Sequence, residues 1–137
     1  MKYTYIIILL IFAFLQGCKK EDTSASTSTS LTSKKWRLES LQVWNANKNE
    51  WTQEEKYNSD LVIEFKSNGV LFIQENGKTG NVTYVNKSGL VTINYENNGE
   101  TKQANSSIDK LTATELEISG DFIPVTSIIC RYYYKAI

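Results

Sequence analysis

From Leu31 to the C-terminus, short runs of alternating apolar and polar residues are broken by Asn68-Gly69, Asn76-Gly77, Ser88-Gly89, Asn98-Gly99 and Ser119-Gly120. This punctuation constrains the fold more than any other feature. Side chains of a strand alternate between two faces, so a two-residue period describes a half-buried strand. Asn-Gly and Ser-Gly tolerate the positive φ of tight hairpin turns. No stretch sustains a helical period. The pattern predicts strands over 36–44, 61–66, 70–75, 81–85, 90–95, 101–107, 115–119 and 127–135, with the single Pro124 ahead of the last one. Successive hairpins of this kind make an all-β, antiparallel up-and-down meander of about eight strands. Such a meander either closes into a barrel, which removes its edges, or folds into a β-sandwich.

The same period assigns faces. Leu61, Ile63, Phe65, Val70, Phe72, Val82, Tyr84, Val91, Ile93, Tyr95, Leu116, Ile118, Ile128, Cys130, Tyr132 and Tyr134 form one consistent inward set. Glu64, Lys66, Thr83, Thr92, Asn94, Glu115, Glu117, Arg131 and Lys135 fall on the other side. The 51–60 connection is the one long enough for a helical turn or a lid.

The first part of the chain has a different character. Met1–Thr4 carries one positive charge, and Tyr5–Leu15 is almost wholly apolar. A helix crossing hydrocarbon needs about 20 apolar residues, whereas a run of 10 to 14 fits the middle of a secretory signal. Leu15-Gln16-Gly17-Cys18 closes that run and resembles the lipobox of bacterial lipoproteins. The resemblance implies cleavage after Gly17, so that residues 1–17 are a signal peptide, and a diacylglycerol on Cys18. Two or three acyl chains, at about 0.8 kcal/mol per buried methylene, hold a protein to a membrane far more firmly than one. Lys19-Lys20-Glu21-Asp22 resembles the surface-export signal of Bacteroidetes lipoproteins, which implies the outer face of the outer membrane; as plain composition it is the hydrophilic start of a linker. Residues 23–30 are nearly pure Ser and Thr, a spacer with nothing to bury. With Lys19–Ser33 it reaches on the order of 20 Å. The expected organisation is thus signal peptide 1–17, lipidated cysteine and linker 18–33, and a β domain over 34–137.

Within that domain, Leu31-Thr32-Ser33-Lys34-Lys35-Trp36-Arg37-Leu38 opening the first strand, the Asn68-Gly69 hairpin after Phe65, the stretch from Ile108 to Ile118 and the Tyr-rich last strand with Arg131 are similar to the small lipocalin-like domains of Bacteroidetes lipoproteins. The resemblance implies a lipocalin-like barrel. It further implies that Trp36 and Arg131 meet at the closed end of that barrel as a structural pair.

Composition narrows the chemistry. Fifteen basic and fifteen acidic residues cancel without a block of either sign, so the footprint of a nucleic-acid binder is missing. The chain has no histidine, and with it goes the commonest general base and metal ligand. A non-catalytic protein without metal or cofactor is expected. Cys130 reads as a buried, inert thiol. Glu115 and Glu117 share one solvated strand face, and 45–50 reads as an Asn-rich hairpin loop. The three tryptophans and eight tyrosines leave two readings. In one, Trp44, Trp51, Phe65, Phe72, Tyr84, Tyr95 and Tyr132 line a site for a small apolar or glycan ligand. In the other, the aromatics fill the barrel, which then serves as a structural or protein-interaction module of an outer-membrane assembly. A solid interior favours the second.

Overall fold

A computed structural model describes residues 30–122 and 128–137. The expected signal peptide, Cys18, the Lys19, Lys20, Glu21, Asp22 segment and Pro124 lie outside the described residues. Among the described residues a 3-10 turn, Leu31–Ser33, leads into ten strands: β1 Lys35–Asn45, β2 Glu50–Trp51, β3 Glu55–Lys56, β4 Leu61–Phe65, β5 Val70–Glu75, β6 Lys78–Lys87, β7 Leu90–Asn97, β8 Glu100–Leu111, β9 Glu115–Gly120 and β10 Cys130–Ala136. Every pairing among them is antiparallel, and each long strand pairs with the next in sequence from β4 to β10. β10 then pairs with β1 over Val43↔Cys130 to Trp36↔Ala136, which closes the sheet. The result is an up-and-down barrel of eight strands, β1 and β4 to β10, and the sandwich alternative falls away.

β2, β3 and β4 all pair with the same flank of β1, at Trp44↔Trp51, Leu41↔Glu55 and Arg37↔Val62. They are pieces of one interrupted strand. The 51–60 connection is therefore neither helix nor lid: it runs along β1, tied by Thr52 N to Val43 O (2.9 Å) and Tyr57 N to Glu39 O (2.8 Å).

Three hairpins turn on two residues, both with positive φ: Asn76-Gly77 (49°, 78°), Ser88-Gly89 (52°, 86°) and Asn98-Gly99 (54°, 79°). This geometry matches the twist of the flanking strands. Ser119-Gly120 does not turn. Gly120 ends β9 in register with both Cys130 and Ser106. There, at φ 133°, a Cβ would sit 2.6 Å from the Asn105 carbonyl oxygen. Glycine here permits a close approach of two backbones instead of a reversal.

The core is the barrel interior. Trp36, Leu61, Ile63, Phe65, Leu71, Val91, Ile93, Leu116, Ile118, Phe122 and Tyr134 are almost wholly withdrawn from solvent. Leu31, assigned to the linker by sequence, is buried with them and accepts a hydrogen bond from Trp36 Nε1 at 3.2 Å. Apolar residues inside and polar ones outside reverse the arrangement of a membrane-spanning barrel, whose outer band is apolar.

The inward set is right on β4, β9 and β10 from Cys130 onward, and shifted by one residue on β5. There Leu71 is fully buried and Ile73 packs on the core, while Val70 and Phe72 point outward, half-buried. Val70-Leu71-Phe72-Ile73 is a continuous apolar run, so its register comes from the three-residue turn at Gly69, which pairs Phe65 with Leu71. Ile128 precedes β10 and is 43% exposed, against its inward assignment. Tyr95 is only half-buried.

Candidate functional site

Ring packing decides what the barrel interior can hold. Phe65 meets Tyr84 edge-on at 5.0 Å between centroids, and Phe122 lies 6.0 Å from Phe65, 6.0 Å from Tyr132 and 6.3 Å from Tyr134. These are the spacings of contacting aromatic pairs. Phe122 comes from the segment after β9, not from a strand, and its ring is 1% exposed. It packs among the inward rings of β4 and β10, taking up interior space that an eight-stranded barrel has little of. Of the residues assigned to ligand lining, Phe65, Tyr84 and Tyr132 are thus constituents of the packed core. Burial pushes the Tyr84 phenol up, and Tyr134's much further. The Tyr84 hydroxyl donates to the Lys66 carbonyl at 2.9 Å. Cys130 is buried as expected, its thiol raised by desolvation and partly brought back by a hydrogen bond with Tyr132.

Trp44 and Trp51 are not in the interior. They are directly cross-strand partners on β1 and β2 and meet edge-on on the outside of the barrel, 5.2 Å between centroids. The guanidinium of Arg131 stacks on Trp51, 4.5 Å from the ring centre. Its Nε also faces Glu117 at 3.4 Å and Asp109 at 3.8 Å. Next to it, the Tyr133 hydroxyl donates to Gln42 Oε1 at 2.6 Å, and Gln42 Nε2 donates to the Thr52 carbonyl at 3.0 Å. One belt of side chains therefore crosses the outer surface from β2 over β1, β10 and β9 to β8.

This corrects the expected closure pair. Trp36 points inward at the start of β1, where its strand partner is Ala136, whereas Arg131 points outward beside Gln42, far along the same strand. Opposite faces of the sheet cannot meet through a filled interior. The cation near Trp36 is Lys34, whose Nζ is 6.0 Å from the ring and donates to the Ala113 carbonyl.

Below the belt lies a groove of about 270 Å³ bordered by Glu39, Ser40, Glu54, Lys110, Glu117 and Lys135. The Ser40 hydroxyl donates to Glu54. Lys110 and Glu115 form an ion pair at 2.6 Å, which holds the Glu115 carboxyl below its usual range and the Lys110 ammonium above. Four carboxylates, Glu39, Glu54, Glu115 and Glu117, and two ammonium groups, Lys110 and Lys135, line this groove. Among the described residues, no group of three or more Cys, Asp or Glu side chains could hold a metal ion.

Phe72 lies on the outer face of β5 with Lys66 Nζ 5.4 Å from its ring, and Tyr95, half-buried on the same face of β7 as Ile93, borders with Val82 a shallow cleft where the β6–β7 pairing ends. Of the seven proposed lining residues the structure therefore unites Trp44 with Trp51, and Phe65 with Tyr84 and, through Phe122, Tyr132. Phe122 escaped the sequence reading because Asp121-Phe122-Ile123-Pro124 carries no strand alternation. Its signal was an isolated aromatic two residues after a glycine. No family model, curated protein or solved structure matches the chain, so its reading rests on this geometry.

Proposed function

We propose that this chain is a lipid-anchored protein of the bacterial outer membrane, held through Cys18 and turned to the cell surface, whose barrel works without catalysis as an interaction module. The observation that carries this reading is the division of the aromatics. The interior rings fill the barrel, while Trp44, Trp51, Arg131 and Tyr133 form a pre-ordered belt on its outside. Trp, Tyr and Arg are the residues that dominate the binding energy of protein interfaces. Here their rotamers are fixed by neighbours before any partner arrives, which lowers the entropy lost on docking. The lipid anchor and Ser/Thr spacer put the domain clear of the headgroups, where a second envelope protein can reach this belt.

The test uses the full chain in its own envelope, with a photo-crosslinking amino acid at Gln53 beside the belt or at Lys78 on the far rim. An adduct of defined mass from position 53, absent from position 78 and lost when Trp44 and Trp51 become alanine, is the expected result. Recovery of a stoichiometric small molecule with the purified protein by native mass spectrometry overturns the filled-barrel reading. Replacing Cys18 with serine releases the protein from the membrane fraction; retention there refutes the anchor.

A further inference from the structure

β7 lies across the barrel from β1, and the outer face around it has a different chemistry from the belt. The register puts Val70, Thr83, Asn94 and Gln103 side by side in one row across β5 to β8. Asn94 Nδ2 donates to Thr83 Oγ1 at 3.5 Å, and Gln103 Nε2 donates to Asn94 Oδ1 at 2.9 Å. In the next row Thr92 donates to Asn105 Oδ1 at 2.7 Å. Across the outward side chains of β6, β7 and β8 as far as Ser107, charge is confined to Lys87 and Glu96. The belt side, by contrast, turns Lys35, Arg37, Glu115, Glu117, Arg131 and Lys135 outward.

Two shallow clefts, of about 630 and 280 Å³, adjoin at Asn94 on this face. The first runs past Asn81, Thr83 and Thr101, and the second past Val85, Leu90 and Gln103. We propose that the Thr83–Asn94–Gln103 face is a binding surface for a neutral polysaccharide. Amides and hydroxyls shed water at far lower cost than ions do, and they offer donors and acceptors together, as a polyol requires. The ladder fixes the amide orientations in advance, and Asn94 and Gln103 keep unused hydrogen-bonding capacity toward solvent. Adjacent strands repeat about every 4.8 Å, so the row presents one polar side chain for roughly each sugar ring of an extended chain. Val85 and Leu90, 47% and 48% exposed, supply apolar ground for the sugar C–H faces. A nucleic acid would need cations that are absent from the row. A protein partner would need large buried anchors at its centre, where this face has amides.

The proposal rests on the reading that the barrel works through its outside, and it is independent of what docks on the belt. The probe is affinity electrophoresis of the full chain in detergent through native gels cast with dextran, mannan or xylan, with polygalacturonate as the anionic comparison. Retardation by at least one neutral polymer is expected, weakened about tenfold by Asn94→Asp with Gln103→Glu, and unchanged by Trp51→Ala. Should the charged pair disturb folding, judged by circular dichroism, Asn94→Ala with Gln103→Ala is the second variant and weakens retardation likewise. No retardation by any neutral polymer, equal retardation of wild type and variants, or a preference for polygalacturonate overturns the proposal. So does a concentration-dependent dimer that the same substitutions abolish, which would make a second copy the occupant. Failure here with crosslinking at Gln53 intact leaves the belt reading standing; the reverse outcome removes only that one.

Discussion

Replacing Phe122 with alanine separates a filled barrel from a hollow one. An aromatic side chain buries on the order of 150 Å² or more, worth about 4 kcal/mol at roughly 25 cal/mol per Å². Alanine retains a methyl group of that, about 1 kcal/mol. The ring is 1% exposed and touches Phe65 on β4 and Tyr132 and Tyr134 on β10. Because those strands are held by closure of the sheet, the space does not collapse, and a residual-cavity penalty restores about the amount the methyl saves. The expected loss is therefore about 3–5 kcal/mol, a large part of the ~5–15 kcal/mol total stability of a domain. Urea unfolding followed by tryptophan fluorescence measures it, with an unchanged slope showing that the denatured state is the same. The variant should also gain affinity for benzene or a similar small apolar probe, visible as a raised unfolding midpoint when the probe is present. A loss below about 1 kcal/mol would mean that the ring is not packed and would refute the reasoning, since substitutions of that size are typical of surface positions.

Arg131→Ala removes the cation over Trp51 and the partner of Glu117 together; with the guanidinium partly exposed, the expected loss is about 1–2 kcal/mol, accompanied by a change in tryptophan emission that unchanged spectra would contradict. Gly120→Ala forces a Cβ to 2.6 Å from the Asn105 carbonyl at φ 133°, and a loss of at least 1–3 kcal/mol in the urea midpoint is expected. Burial raises the phenols of Tyr57, Tyr84 and Tyr134, with the Glu75 carboxylate adding to the effect on Tyr57. The unfolded chain ionises these groups at about pH 10, before the folded one does, so their contribution is complete below that pH and lost as the pH rises beyond it. Urea midpoints should fall through this alkaline range as tyrosinate absorbance appears on unfolding; a flat or rising midpoint would contradict the burial.

Much of the fold was legible in the chain, and the reason is local. Val70–Glu75 was located to the residue, and Asn76-Gly77, Ser88-Gly89 and Asn98-Gly99 were identified as turns, because alternation and positive φ are properties of a few neighbouring residues. The hairpins between successive long strands then imply the meander order. Where locality failed, so did the reading: Val70-Leu71-Phe72-Ile73 is apolar on both faces, and only the turn before it chose Leu71 for the interior. Ser119-Gly120 has the composition of a turn, yet it lies in a strand because Ser106 on a neighbouring strand leaves no room for a side chain.

Sequence by itself determined the strand faces of β4, β9 and β10, and an all-β class with sheet closure as one of two outcomes, since period and turn chemistry act over a few residues. Tertiary structure alone decided that the sheet closes through β10 on β1 and that Phe122 packs in the barrel interior. It also decided that Arg131 stacks on Trp51 and not on Trp36. These depend on residues brought together from Trp36 to Tyr134 by the closure of one sheet. No local period can say which side chain will fill the space that closure creates, or which ones it will leave on opposite walls.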